Sequence, residues 1–221
     1  MQEQLPALLS ALVGDAFAVK ERVAGNLAGA GLALVAGQLL RWRTERARDI
    51  LLDELRRGER TLSAPEVDET VAVLLRYGRA AQEGTARLNL RLMAKVIAGQ
   101  IQQKVLYADE FLRHADVIAG LRREEVILLG ALQRHWAAPA VQVMANDHDR
   151  MNEAKRLILA ELIPVPFIDI VELAATEDAI VRTGFLAGTE TFGGTIYKPT
   201  RTFQRVCALI SLEAALEAEP A

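Results

Sequence analysis

The sequence holds one cysteine and three histidines in 221 residues. The single thiol, Cys207, excludes any disulfide within the chain, and a reducing cytoplasm is the expected compartment. None of the histidines (His114, His135 and His148) shares a helix face with a second ligand type at zinc spacing, so no metal motif is present. Aromatic residues make up only 5 %, and Ala and Leu are abundant, which favours helix over sheet. A charge imbalance is lacking as well. The chain carries 26 Lys and Arg against 29 Asp and Glu, for a pI near 5.7, where a protein built for nucleic acid is more often basic. Met1 to Ser10 contain Glu3 and no Lys or Arg, so the basic start of a secretory signal is missing. There is no P-loop, no dinucleotide-binding glycine fingerprint after a strand and no G-x-S-x-G. No enzymatic activity, cofactor or metal is expected.

What is present is a series of amphipathic segments. Half the residues are hydrophobic and a quarter charged, the balance of a globular chain long enough for one large or two small domains. Leu8, Leu9, Leu12, Val13 and Phe17 recur at helical spacing. Residues 41–60 form a charged helix with an apolar stripe of Leu40, Ala47, Ile50, Leu51 and Leu55, closed near Gly58. Their seven Arg against five acidic residues describe a solvated face laced with ion pairs. Ser63, Pro65 and Glu66 are a helix restart, with cap, first-turn proline and capping-box glutamate. The pattern then runs to about Lys104, with Gly78 and Gly84 as possible breaks. Residues 105–121 follow and end at Gly120. His114, beside Arg113, reads as a surface or boundary residue, and Cys207, in the run VCALI, as a small core residue.

After Gly120 come helices at 121–136, 151–163 and 167–182, with Pro139, the polar run Asn146–Arg150, Pro164 and Pro166 between them. Glu124 and Glu125 at the start of the first suit the helix dipole. His148 between Asp147 and Asp149 reads as a solvated loop. Residues 184–200 are the one β segment, a hairpin turning at Gly193-Gly194, and residues 201–217 close the chain as a helix. Three helices, a hairpin and a final helix are the order of a winged helix, and the entry Gly184-Phe185-Leu186 and exit Tyr197-Lys198-Pro199-Thr200 resemble that fold. The fold expected is mainly α: a long-helix bundle over 1–120, which also serves oligomerisation, then a small winged-helix-like α+β module over 121–221.

A winged helix implies DNA, but the third helix holds Asp169, Glu172, Glu177 and Asp178 against Arg182 alone, and phosphate repels such a charge. Lys198, Arg201 and Arg205, after the hairpin, are the candidate nucleic-acid contacts. Residues 23–40 carry no charge, and Gly25, Gly29, Ala33 and Gly37 lie four apart along one helix line. Three readings stay open. Eighteen residues span about 27 Å, barely a membrane crossing; small residues in line also suit a self-association interface, with Trp42 beside it, or a crowded core helix.

Ala86–Gln100, Phe111–Leu132 and the ending through TGFLAG and YKPTRTFQRV together resemble the abortive-infection alpha family of bacterial proteins. That resemblance covers about the last 140 residues and implies a helical part followed by a winged-helix-like ending, in defence against phage. It supplies no catalytic residues, and neither the glycine-spaced segment nor the acidic third helix belongs to its pattern. The reading that follows is a non-enzymatic, cytoplasmic homo-oligomer with a protein-interaction module. Two alternatives stand beside it: a DNA-binding regulator, and a membrane-active effector acting through residues 5–40.

Overall fold

A computed structural model describes residues 30–56, 64–103, 108–191 and 194–220. Of these, 76 % are helical, with one two-stranded antiparallel sheet, far above the third expected of an average globular protein. The chain divides into two compact units, Met1–Gly120 and Leu121–Ala221. The expectations for residues 5–22, Ser63, Gly58 and Gly193 lie outside the described residues.

Among its described residues the first unit carries four helices, α1 (Ala30–Arg56), α2 (Ala64–Glu83), α3 (Arg87–Gln102) and α4 (Ala108–Ala119). The expected stripe on α1 buries Ala47, Ile50 and Leu51, with Leu55 half-buried. Leu40 departs from it and is exposed. The Tyr77 hydroxyl donates to the Ala47 carbonyl at 2.9 Å and so pins α2 to α1. Gly78 lies buried inside α2 and does not break it. Gly84 does. At φ +91° it takes the left-handed conformation that glycine adopts without steric cost. Its N–H reaches the Ala81 carbonyl and that of Thr85 reaches Ala80, at 3.2 and 3.1 Å, a Schellman ending. Helix α3 is buried on nearly every side, with 13 of its 16 residues inside. A helix apolar enough to be surrounded is the centre of its unit. His114, expected near the surface, is 4 % exposed because the inward face of α4 carries it beside Phe111, Ala115 and Ile118.

The second unit runs α5 (Arg123–Trp136), α6 (Pro139–Gln142), α7 (Asp147–Leu162), α8 (Ile170–Val181), β1 (Leu186–Thr191), β2 (Gly194–Pro199), α9 (Arg201–Leu209) and α10 (Leu212–Ala218). Three boundaries differ from expectation, each through local capping. Asn146 accepts from the Asp149 N–H at 2.9 Å, so α7 starts four residues before Met151 and the polar run is its first turn. Asp169 accepts from Val171 and Glu172, both at 2.9 Å, so α8 starts three residues after Phe167. The closing helix is broken at Ile210-Ser211, where Ser211 caps α10. Gln133 of α5 satisfies that break. Its amide donates to the Ile210 carbonyl at 2.8 Å and accepts from the Leu212 N–H at 3.1 Å.

The hairpin forms where expected, with Leu186 opposite Pro199 and Thr191 opposite Gly194. Gly194, at φ +112°, opens β2. Thr200 caps α9 and donates to the Gly184 carbonyl at 2.7 Å, tying the strand exit to its entry. Phe185 and Phe203, with ring centroids 5.5 Å apart, join the hairpin to α9 over a core of Val126, Leu129, Met151, Ile158, Leu173 and Ile180. No described helix is long and apolar enough to cross a membrane.

Candidate functional site

Two surfaces carry the residues singled out by the sequence. On α1, Gly25 and Gly29 lie outside the described residues, and Ala33 falls within the helix. Gly37 is half-exposed, and a Cβ built on it meets nothing within 4 Å. Glycine at this place is therefore not demanded by any described neighbour in the same chain. Directly after it, Gln38 to Arg41 and Trp42 are all exposed, with Leu39 at 44 % and Trp42 at 54 %. Five successive exposed positions cover every side of a helix, so this part of α1 stands clear of its own unit's core. Arg46 places its guanidinium 5.0 Å from the Trp42 ring centroid, a cation–π contact that holds the indole in place.

Next to it lies an open groove of about 540 Å³ between Trp42, Arg46, Asp49, Asp53, Arg87 and Arg91. Its floor is an ion network. Arg91 donates to Asp53 at 3.0 Å and to the buried Glu54 at 2.8 Å, and Lys95 lies 3.3 Å from Glu54. Burying Arg91 and Glu54 is tolerable because each desolvated charge faces an opposite one. The groove's arginines are thus balanced by carboxylates, and it offers no field of one sign to an ionic ligand.

In the second unit, Lys198 is 3.3 Å from Asp147, and this pairing draws one of the three candidate phosphate contacts into an internal bridge. Arg201 and Arg205 are exposed one turn apart on α9. The unit holds ten Lys and Arg against fourteen Asp and Glu. Of the acidic residues on α8, Glu177 is buried and paired with Lys155, while Asp169, Glu172 and Asp178 remain exposed. Burial holds the Glu177 carboxyl above its ordinary range, against the pull of Lys155. Tyr197 of β2 donates to Asp178; burial, and then that bond, push its phenol up to about 12. These two contacts lock α8 to α7 and to the hairpin. Glu125 is buried at the start of α5, accepts from the Arg122 N–H at 2.8 Å and lies 2.9 Å from the Arg182 guanidinium.

What sequence reading missed is the apolar surface around the start of α8. Val165, Ile168, Ile170 and Val171 are 75, 77, 54 and 71 % exposed. Only Phe167 of that stretch turns inward. The signal was there in the run VPFIDIV, but a helix assigned from Phe167 onward would have buried part of it. Cys207 is half-buried rather than in the core, and burial pushes its thiol up to about 12. Asp147 and Asp149 are engaged as partners of Lys198, Arg150 and Asn146. Among the described residues no three of His, Cys, Asp and Glu gather to hold a metal. Comparison with protein-family models, with characterised proteins and with solved structures finds no match.

Proposed function

We propose that the chain is a non-enzymatic, self-associating helical protein whose C-terminal unit, a winged-helix-like module, makes protein contacts. The observation that carries this reading is the exposed apolar stretch Leu39, Leu40 and Trp42 beside Gly37 on α1. Leaving such side chains about half in water forfeits about half of the roughly 1.5–3 kcal/mol that full burial of each would contribute, and a Gly with no crowding neighbour among the described residues has room for one from another chain. Three longer helices and the one-turn α6 before a hairpin, the helical segment that follows it, and the Thr200 bond back to Gly184 support the winged-helix likeness. The net acidity of the unit and the Lys198–Asp147 bridge favour a protein partner over DNA. The abortive-infection resemblance makes phage defence or a stress response the setting.

Size-exclusion chromatography with light scattering tests it. The full chain is expected at a multiple of 24.2 kDa, and Trp42→Glu or Gly37→Leu is expected to lower that mass while leaving the helical signal intact. A wild-type monomer at all concentrations removes the reading. The second reading, DNA binding, is favoured by Arg201 and Arg205 alone. It requires salt-dependent duplex binding lost in Lys198→Glu with Arg201→Glu, and absence of binding at low salt removes it. Liposome co-sedimentation separates the membrane-active alternative through residues 5–40.

A further inference from the structure

We propose that the exposed apolar shoulder at the start of α8 is a docking surface for a basic, apolar segment of a partner protein. This deepens the reading that the C-terminal unit makes protein contacts, and rests on it. Among the described residues of the second unit six large apolar side chains are exposed, and four of them, Val165, Ile168, Ile170 and Val171, fall within seven positions. Pro164 and Pro166 are exposed beside them. Scattered exposed apolar residues are ordinary, but a group of them marks a contact surface. Phe167, in their midst, is buried, so the stretch is anchored to the core and its outward side chains are held in place.

The charges around this shoulder point to the occupant. Asp169 accepts from the Val171 and Glu172 N–H groups, Glu172 accepts from the Ile168 N–H at 2.7 Å, and Asp178 accepts from the Tyr197 hydroxyl. All of these donors are neutral, so each carboxylate keeps its negative charge. The cations of the region are engaged elsewhere, Lys155 with Glu177 and Arg182 with Glu125. Asp169 and Glu172 thus stand among the apolar residues, and Asp178 lies two turns beyond Val171 on the same side of α8. A second copy docked face to face would set these carboxylates against their own kind. The phosphates of nucleic acid and of anionic lipid are repelled in the same way. Lys or Arg side chains on an apolar segment satisfy both features, because their stems lie along apolar surface while their heads reach carboxylates. A contact of this size belongs to the small, transient class of interface, with micromolar affinity.

The test is fluorescence anisotropy of a short, labelled, amphipathic leucine–lysine peptide titrated with the full chain to about 200 µM, which brackets a micromolar constant. The controls are the same peptide with glutamate for lysine, and co-sedimentation with phosphatidylcholine vesicles with and without phosphatidylglycerol. The lysine peptide is expected to bind, more weakly as salt is added, and the glutamate peptide and the vesicles are not. Ile168→Ser with Val171→Ser is expected to weaken binding about tenfold or more, as loss of a central contact does. Glu172→Gln with Asp178→Asn is expected to weaken it and flatten its salt dependence, while the amide oxygens still accept from Ile168 and Tyr197. Val143→Ser, as exposed but outside the stretch, is expected to bind like wild type. All of these side chains are exposed, and a circular-dichroism melt verifies that the variants fold. The surface is overturned if the lysine peptide stays free at the highest concentration, if both peptides bind alike, or if the Ile168 and Val171 changes leave binding intact. Vesicle binding lost in that double variant gives the shoulder to a membrane, and self-association lost in it gives the shoulder to a second copy; either outcome overturns the proposal. Light scattering keeps the two readings apart: a chain that self-associates but ignores the lysine peptide refutes the docking surface alone, and a monomer that binds the peptide refutes self-association alone.

Discussion

Replacing Lys155 by Met removes the positive partner of Glu177 and leaves a buried carboxylate facing a methyl thioether. Glu177 keeps 5 % of its side chain in solvent and Lys155 19 %, so the pair is mostly desolvated. Deleting one partner of such a pair costs roughly 3–5 kcal/mol; the partial exposure of Lys155 puts the expected cost at the low end, about 3 kcal/mol at pH 8. With a urea slope of about 1–3 kcal/mol per molar for a unit of this size, the midpoint falls by about 1–3 M. The pH dependence gives a second, independent check. Burial already holds the Glu177 carboxyl above its unfolded value, and losing Lys155 raises it further. For a group raised on folding, the stabilising contribution is present below the unfolded value and is lost as pH rises through the folded one. The deficit of Lys155→Met is therefore largest at pH 8 and shrinks toward pH 5. Lys155→Met with Glu177→Met recovers most of the loss, since a well-packed apolar pair replaces a buried ion pair at little cost. The assay is urea unfolding followed by fluorescence in a Trp42→Phe background. The chain has two tryptophans, and this leaves Trp136 to report on the second unit alone. A Lys155→Met midpoint equal to wild type at pH 8, or a deficit that grows toward pH 5, would refute the reasoning.

Two further outcomes follow from local geometry. A Cβ at Gly130, in the interior of α5, would touch Glu213 and Leu212 at 3.5 and 3.6 Å, ordinary contact distances; Gly130→Ala should raise the stability of the second unit by about 0.5–1 kcal/mol in the same urea assay, and a destabilised variant would show that α10 packs more tightly there. Cys207, with its thiol pushed up to about 12 by burial, should react with a thiol reagent at pH 8 far more slowly than the unfolded chain does, and equal rates would contradict its burial.

Helices were legible wherever an apolar stripe stood beside a local stop. Gly84 closes α2 through its backbone alone, and Ile50, Leu51, Leu74 and Phe111 sit inside as their spacing requires. Capping decided what the stripe could not. A single Asn146 or Asp169 side chain shifted a helix start by three or four residues, because caps act through hydrogen bonds and leave no periodicity. The break at Ile210-Ser211 was invisible because its compensation comes from Gln133, some eighty positions earlier in the chain. The candidate surfaces were legible only in part. Gly37 and Trp42 were marked by sequence, whereas the face of α8 required knowing which acidic residue turns inward. Counting Glu177 among the exposed charges hid that it turns inward to pair with Lys155.

Arg123 at the start of the second unit donates to the Glu219 carbonyl at 2.8 Å, so the chain enters and leaves this unit within the length of one side chain. A module with adjoining ends can be spliced into a loop of another protein, or re-opened elsewhere and joined head to tail, without stretching its core. Such a unit is portable: it can be handed between architectures as a cassette.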